Sequence, residues 1–145
     1  MAITQAIANS FKKQLLDGDH DFTAAPSGDI FKIALYTSSA TLNSATTSFT
    51  TGNQVPASGQ YTSGGGKLVN NATSITAGVA RVDFADRSFT NVTITARGAL
   101  IYNTSASNSA VAVLDFGGDK TATSGVFTIQ FPANTSTAAI LRISG

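Results

Sequence analysis

Few residues of this 145-residue chain could do chemistry, and they are widely spaced. The chain has one histidine, His20, no cysteine and no glutamate, and all eight acidic residues are aspartates. Acid–base and nucleophilic catalysis need side chains that titrate near neutrality or whose lone pairs can attack. No Gly-x-Ser-x-Gly motif is present to place a nucleophilic serine within reach of His20. We therefore predict no enzymatic activity, no catalytic residues and no cofactor.

Two groups of aspartates have residue types that could form a metal site or a catalytic site. The segment Asp17–Asp21, with three carboxylates and His20, could offer oxygen ligands to a cation, but it lacks the regular spacing and the final glutamate of a calcium loop. We interpret it as a polar turn and predict no metal. Asp83 and Asp86 could form the carboxylate pair of a glycosidase. Arg81 and Arg87 lie beside them, so we expect both to stay ionised in a surface ion cluster.

Two further patterns are typical of ligand binding. The segment Ser63–Lys67 is glycine-rich, as in phosphate-binding loops, but Leu68 stands where a P-loop has serine or threonine, and the next run is strand-like. We predict no nucleotide site. Four aromatic residues could stack on sugar rings, although tyrosines at strand ends more often cover a core: Tyr36, Tyr61, Tyr102 and Phe49.

The composition indicates a surface that is polar and poorly charged. Only 12% of residues are charged, the net charge is +1, and serine with threonine makes up about a quarter of the chain. Because the net charge is close to zero, we predict that the chain binds neither nucleic acid nor an anionic membrane. No apolar run reaches the roughly 20 residues of a membrane span, and we expect synthesis in a cytoplasm without a signal peptide.

The first 18 residues predict the single helix of the chain. Ile3, Ile7, Phe11 and Leu15 recur every four residues and form an amphipathic stripe. Thr4 is the expected N-cap, and Gly18 is the expected left-handed residue after the last turn.

The remainder, residues 29–145, predicts strands. Short alternating runs are bounded by Gly, Asn, Asp or Ser and leave no room for crossover helices, which favours antiparallel pairing. We predict one all-β domain, an antiparallel β-sandwich with Greek-key or jelly-roll connections. The predicted strands are residues 29–37, 79–84, 92–95, 98–102, 110–116, 125–131 and 138–143.

Residues 38–66 form a long loop or arm in this prediction, with one edge strand near Thr46–Thr51. Unpaired strand edges and the apolar helix stripe favour contact with other chains, including further copies of this one. The residues that we expect at such contacts are Ile3, Ile7, Phe11, Leu15, Phe49 and Tyr61.

Four segments resemble small virion structural proteins of tailed bacteriophages: Ser10–Phe22, Asp29–Thr41, Ala96–Asn103 and Ala112–Phe116. The similarity spans nearly the whole chain, but its motifs are structural and transfer no functional residues. It implies a virion component. Capsid cement proteins of this size are commonly β-sandwich or jelly-roll domains set over joints between major capsid protein subunits. We expect this role, with the major capsid protein as partner; the alternative is a tail-tip, fibre or adaptor protein that binds a host glycan receptor.

Overall fold

The computed structural model describes residues 2–144 and contains two antiparallel sheets and one α-helix. In chain order the elements are β1 Ala6–Ile7, α1 Asn9–Asp17, β2 Phe31–Tyr36, β3 Gly66–Lys67, β4 Ser74–Thr76, β5 Val79–Val82, β6 Arg87–Asn103, β7 Ser109–Ile129 and β8 Leu141–Ile143. The five-stranded main sheet has the order β1-β7-β6-β2-β3, and the small sheet has the order β4-β5-β8. The predicted all-β, sandwich-like fold with one short N-terminal helix is confirmed.

One hydrophobic core receives side chains from both sheets and from α1. Phe31 and Leu35 of β2 and Leu100 of β6 are fully buried in the main sheet, because these central strands are covered on both faces. Val82 and Leu141 bring the small sheet into the same core. The inward residues that the alternation in 29–37 predicted, Phe31, Ile33 and Leu35, are all buried, but so are Ala34 and Tyr36.

The long hairpin of β6 and β7 replaces four strands that the sequence predicted separately. A short 3-10 helix, Thr104–Ala106, joins the two strands. The ladder continues through several irregularities, and the largest lies between the pairs Ala96–Lys120 and Gly98–Asp115. There β7 has four residues, 116–119, where β6 has Arg97 alone, so β7 carries three extra residues. Such bulges accommodate turn-forming residues such as Gly117 without ending the strand.

The helix begins at Asn9, so the predicted start at Thr4 is wrong. Ala8 is the N-cap residue and makes no side-chain cap hydrogen bond. Ala6 and Ile7 pair instead with β7, and the Ala8 amide donates to the Val111 carbonyl at 3.0 Å. The edge of β7 offers these residues hydrogen bonds across the sheet, and a helix this short is marginal by itself. The predicted end is confirmed, because Gly18 is left-handed with φ 82°.

Residues 38–66 pack along the main sheet of their own domain. Leu42, Val55 and Tyr61 are buried. The predicted edge strand at 46–51 is reduced to one bridge, between Ser48 and Ser109. A few apolar anchors therefore order a segment that has little regular secondary structure.

Candidate interaction surfaces

His20 belongs to a buried polar cluster. Its ring lies 4.8 Å from the Phe11 ring between centroids and is buried. Nδ1 lies 3.0 Å from the Asn103 amide nitrogen, and Nε2 lies 3.0 Å from Gln14 Oε1. Because Oε1 can only accept, a neutral ring protonated on Nε2 satisfies both contacts. Burial lowers the pKa of His20, against smaller opposing effects of Asp29 and Asp19.

The carboxylates close to His20 in sequence interact with different residues and do not converge on one point. Asp17 forms an ion pair with Lys13 on the exposed face of α1. Hydrogen bonds from the Thr23 side chain and, to a smaller extent, from the Thr23 amide lower the pKa of Asp21. Within residues 2–144 the structure brings together no group of three His, Cys, Asp or Glu side chains suited to a metal ion.

The burial of Asp83 contradicts the prediction that Asp83 and Asp86 form an ion cluster on the surface. Asp83 is 1% exposed and accepts a hydrogen bond from the Phe84 amide, whereas Asp86 is exposed and accepts one from the Phe131 amide. Burial raises the pKa of Asp83. Neither arginine forms an ion pair with these carboxylates in the described part of the chain, since Arg87 lies over the Phe89 ring, 4.6 Å from its centroid.

The glycine-rich segment is a structural turn. Gly65 has φ +79°, and a Cβ there would lie 1.8 Å from the Ile33 carbonyl oxygen, so a side chain would collide with β2. The Gly64 amide donates to Gln54 Oε1, and the Tyr102 hydroxyl donates to the Gly64 carbonyl. The backbone groups of Gly64 thus form hydrogen bonds within the domain.

The possible sugar-binding aromatics lie in the core. Tyr36 and Tyr61 are 0% exposed and Tyr102 is 2% exposed, while the Phe49 ring stacks on Tyr102 at 4.6 Å. Burial raises the pKa of Tyr36 and Tyr102, and raises that of Tyr61 to about 12. These residues therefore form no sugar-stacking surface, and the interpretation of the tyrosines as residues that cover the core is confirmed.

The residues expected at contacts with other chains separate into two groups. Ile3, Phe11 and Tyr61 are buried in their own domain, and Phe49 packs against the core. Ile7 is 37% exposed and Leu15 is half-buried. The four-residue stripe does not form one helical face, because Ile3 lies in a bridge with Leu42 and Ile7 lies in β1.

The first candidate surface is the outward side of the distal half of the β6–β7 hairpin. Six exposed residues there are Ser88, Thr93, Thr95, Thr121, Thr123 and Thr128, which we call the hydroxyl face. Ser88 lies opposite Thr128, and Thr95 lies opposite Thr121, with 2.9 Å between the hydroxyl oxygens of each pair. The hydroxyl face is therefore uncharged, and cross-strand hydroxyl pairs join β6 and β7 at both of its ends.

The second candidate surface is an apolar groove of about 480 Å³ between α1 and the small sheet, which we call the helix–sheet groove. Ala80 lies opposite Ile143, and Val82 lies opposite Leu141, so these four side chains share one face of the small sheet. Residues that line the groove include Phe11, Leu15, Leu16, Ala80, Leu141 and Ile143.

Sequence reasoning did not identify the helix–sheet groove. It assigned residues 79–84 and 138–143 to strands, which they form in part. The number of apolar residues on the short strands could have revealed the groove. These strands carry more apolar residues than are needed to cover one core. Which of them remain exposed depends on how far α1 extends over the small sheet.

No protein family, no curated protein and no solved structure matches this chain. Among residues 2–144, no helix has the length and apolar character needed to cross a bilayer.

Proposed function

We propose that this chain is a non-enzymatic structural protein of a tailed-bacteriophage virion, a capsid cement protein that binds over joints between major capsid protein subunits and stabilises the shell. The resemblance of its sequence segments supports the virion assignment. The observation that carries the cement role is the hydroxyl face, where Ser88, Thr95, Thr121 and Thr128 form cross-strand hydroxyl pairs on the β6–β7 hairpin.

The physical properties of the hydroxyl face suit adhesion to a large protein surface. Serine and threonine hydroxyls donate and accept hydrogen bonds and can meet either polarity on a partner. Covering them removes little charge from water, which keeps the desolvation cost of docking low. Many copies can also crowd on one shell, because a net charge of +1 produces little repulsion between neighbours.

The alternative role is a tail-tip, fibre or adaptor protein that binds a glycan. The three tyrosines do not favour it, because they are buried and cannot stack on a sugar ring. The cement role needs no exposed aromatic rings.

The copy number of the chain in purified particles tests the proposal. We expect the protein at a molar ratio close to that of the major capsid protein, measured by quantitative mass spectrometry with isotope-labelled peptides. Particles stripped of the protein should lose their DNA at a lower temperature, and adding the protein back should restore the original temperature. A molar ratio typical of tail proteins, far below that of the capsid protein, would contradict the cement role.

Variants of the hydroxyl face test the observation that carries the proposal. Ser88→Lys with Thr121→Lys places one charge near each end of the face, at positions not opposite each other. We expect this double variant to bind stripped particles about tenfold more weakly or worse. Thr41→Lys, at an exposed threonine outside the face, is the control and should bind like wild type. Equal binding by all three proteins would remove the hydroxyl face from the proposal.

A further inference from the structure

Residues 10–28, which we call the helix–turn segment, are joined to the rest of the domain by few hydrogen bonds. The segment contains most of α1 and the polar turn that follows it. Among the described residues, only two hydrogen bonds connect it to anything beyond its immediate neighbours in the chain. Gln14 Nε2 donates to Ser109 Oγ at 3.4 Å, and the Asn103 amide nitrogen donates to His20 Nδ1 at 3.0 Å. His20 therefore makes the shorter of these two connections.

Three buried side chains hold the helix–turn segment by packing: Phe11, His20 and Phe22. The Phe22 ring stacks on the Phe31 ring of β2, with 4.4 Å between centroids. The His20 ring lies 4.8 Å from the Phe11 ring and 6.3 Å from the Phe31 ring, so it occupies the space between α1 and β2. Displacement of His20 thus removes a hydrogen bond and one of the three side chains that anchor the segment.

The other partners of Asn103 fix which atom its amide presents to His20. Its Nδ2 also donates to Asp29 Oδ2 at 2.7 Å, and its Oδ1 accepts from the Ser105 amide at 2.9 Å. Turning the amide over would place its oxygen against the Asp29 carboxylate and its nitrogen against the Ser105 N–H, so both bonds would be lost. The amide therefore presents N–H groups to His20 Nδ1. A proton on that nitrogen would set two donors against each other in a buried site, which is costly.

The charged groups around His20 do not compensate for a second proton on its ring. The side chains that face the ring from α1, β2 and β6 do not titrate: Phe11, Gln14, Phe31 and Asn103. Asp29 and Asp19 are carboxylates whose charges favour the protonated ring, but burial has the larger effect and lowers the pKa of His20. Asp29 Oδ2 already accepts from Asn103 and from the Asp21 amide.

We propose that His20 is an acid-sensitive latch, whose protonation releases the helix–turn segment while the rest of the domain stays folded. Opening brings the ring into water, where it takes up a proton at its ordinary pKa near 6.5, whereas the closed form excludes that proton. The open form therefore binds more protons, and a fall in pH favours opening.

Backbone contacts at both ends of the helix–turn segment limit the opening to this part of the chain. Before the segment, the Ala8 amide donates to the Val111 carbonyl at 3.0 Å. After it, the Thr104 amide donates to the Ile30 carbonyl at 2.9 Å. Neither bond involves His20 or a titratable side chain, so both ends stay attached when the latch opens. Local openings of this kind need less free energy than global unfolding.

Hydrogen exchange of backbone amides, followed by mass spectrometry, tests the latch in the wild-type protein. If the open ring titrates near 6.5 and the closed ring takes up no proton, lowering the pH from 7.5 to 5 raises the opening equilibrium about 30-fold. After correction for the intrinsic pH dependence of exchange, we expect the protection of residues 10–28 to fall by about tenfold or more, up to that limit. Residues 87–96 exchange through global unfolding and should remain at least about tenfold better protected at pH 5. Equal protection of the two regions would overturn a local latch.

The proton on His20 can be followed directly, because the chain has one histidine and its ring signals in NMR spectra are unambiguous. Exchange of residues 10–28 should rise as the pH falls below about 6.5 and level off below the midpoint of the ring's own titration. Most aspartates keep their charge at pH 5, above their ordinary pKa of about 3.9. A ring that titrates at or above its ordinary value would overturn the proposal, because the closed form would then accept the proton.

Two variants separate the titration of His20 from its packing. His20→Gln keeps an acceptor for Asn103 and a donor for Gln14 but cannot titrate, so the protection of residues 10–28 should change by less than about twofold between pH 7.5 and pH 5. Gln14→Ala removes the bond to Ser109 and should lower protection at both pH values, while the fall between them remains. An equal fall in His20→Gln and wild type would overturn the latch, as would loss of the fall in Gln14→Ala.

Discussion

Replacing Asn103 with alanine should destabilise the protein more than any substitution at an exposed asparagine. Asn103 is 0% exposed and lies at the end of β6, where it connects three parts of the chain. Its amide nitrogen donates to His20 Nδ1 at 3.0 Å and to Asp29 Oδ2 at 2.7 Å. Its Oδ1 accepts from the Ser105 amide at 2.9 Å, at the start of the 3-10 helix.

The expected magnitude follows from these three hydrogen bonds. Each neutral bond contributes about 1 kcal/mol, and the bond to the Asp29 carboxylate contributes about 1.5–3 kcal/mol. Alanine removes all three and leaves the buried His20 Nδ1 without a donor. We expect a loss of about 3–5 kcal/mol in the free energy of unfolding, a large part of the stability of an ordinary domain. The thermal midpoint should fall by about 10 °C.

Urea denaturation at neutral pH, followed by far-ultraviolet circular dichroism, measures this loss. The dependence of the unfolding free energy on urea should stay unchanged, because the same surface becomes exposed. Asn134→Ala, at an exposed side chain, is the matched control and should change stability by less than about 0.5 kcal/mol. A loss below about 1 kcal/mol for Asn103→Ala would refute the reasoning, since the polar cluster would then contribute little to holding the chain together.

Three other outcomes are expected. Gly65→Ala should cost about 2–5 kcal/mol because its Cβ meets the Ile33 carbonyl, whereas Gly118→Ala, with open space around it, should cost less than about 1 kcal/mol in the same denaturation assay. Burial holds the pKa of His20 below its ordinary value near 6.5, so the unfolded chain binds more protons below that pH and stability should fall from about pH 7.5 to about pH 5. His20→Gln should remove that part of the pH dependence, and an identical slope in both proteins would contradict it. Because burial raises the pKa of all three tyrosines, that of Tyr61 to about 12, the folded protein should show less tyrosinate absorbance at about pH 11 than the protein in urea, whose tyrosines should ionise near pH 10.

The burial of Asp83 shows where local reasoning about charge fails. Its neighbours in sequence, Arg81 and Asp86, predicted an exposed ion cluster. In a strand, successive side chains point to opposite faces, so Arg81 and Asp83 share a face only while the strand continues. β5 ends at Val82, and Asp83, beyond this end, is buried and accepts a hydrogen bond from the Phe84 amide. The position at which a short strand ends decides which side chains are buried.

The sequence by itself determined the class of fold and the end of its helix. The alternation of apolar and polar residues in 29–37 and the glycine at position 18 act within a few residues, and both had the predicted effect in β2 and α1. The tertiary structure decided what depends on distant partners. Ala6 and Ile7 pair with the edge of β7 instead of joining the predicted helix. Pairing with β6 on both sides of its bulge keeps β7 one strand. The helix–sheet groove also depends on distant partners, because α1 and the small sheet are far apart in sequence and leave Leu16 and Ile143 exposed between them.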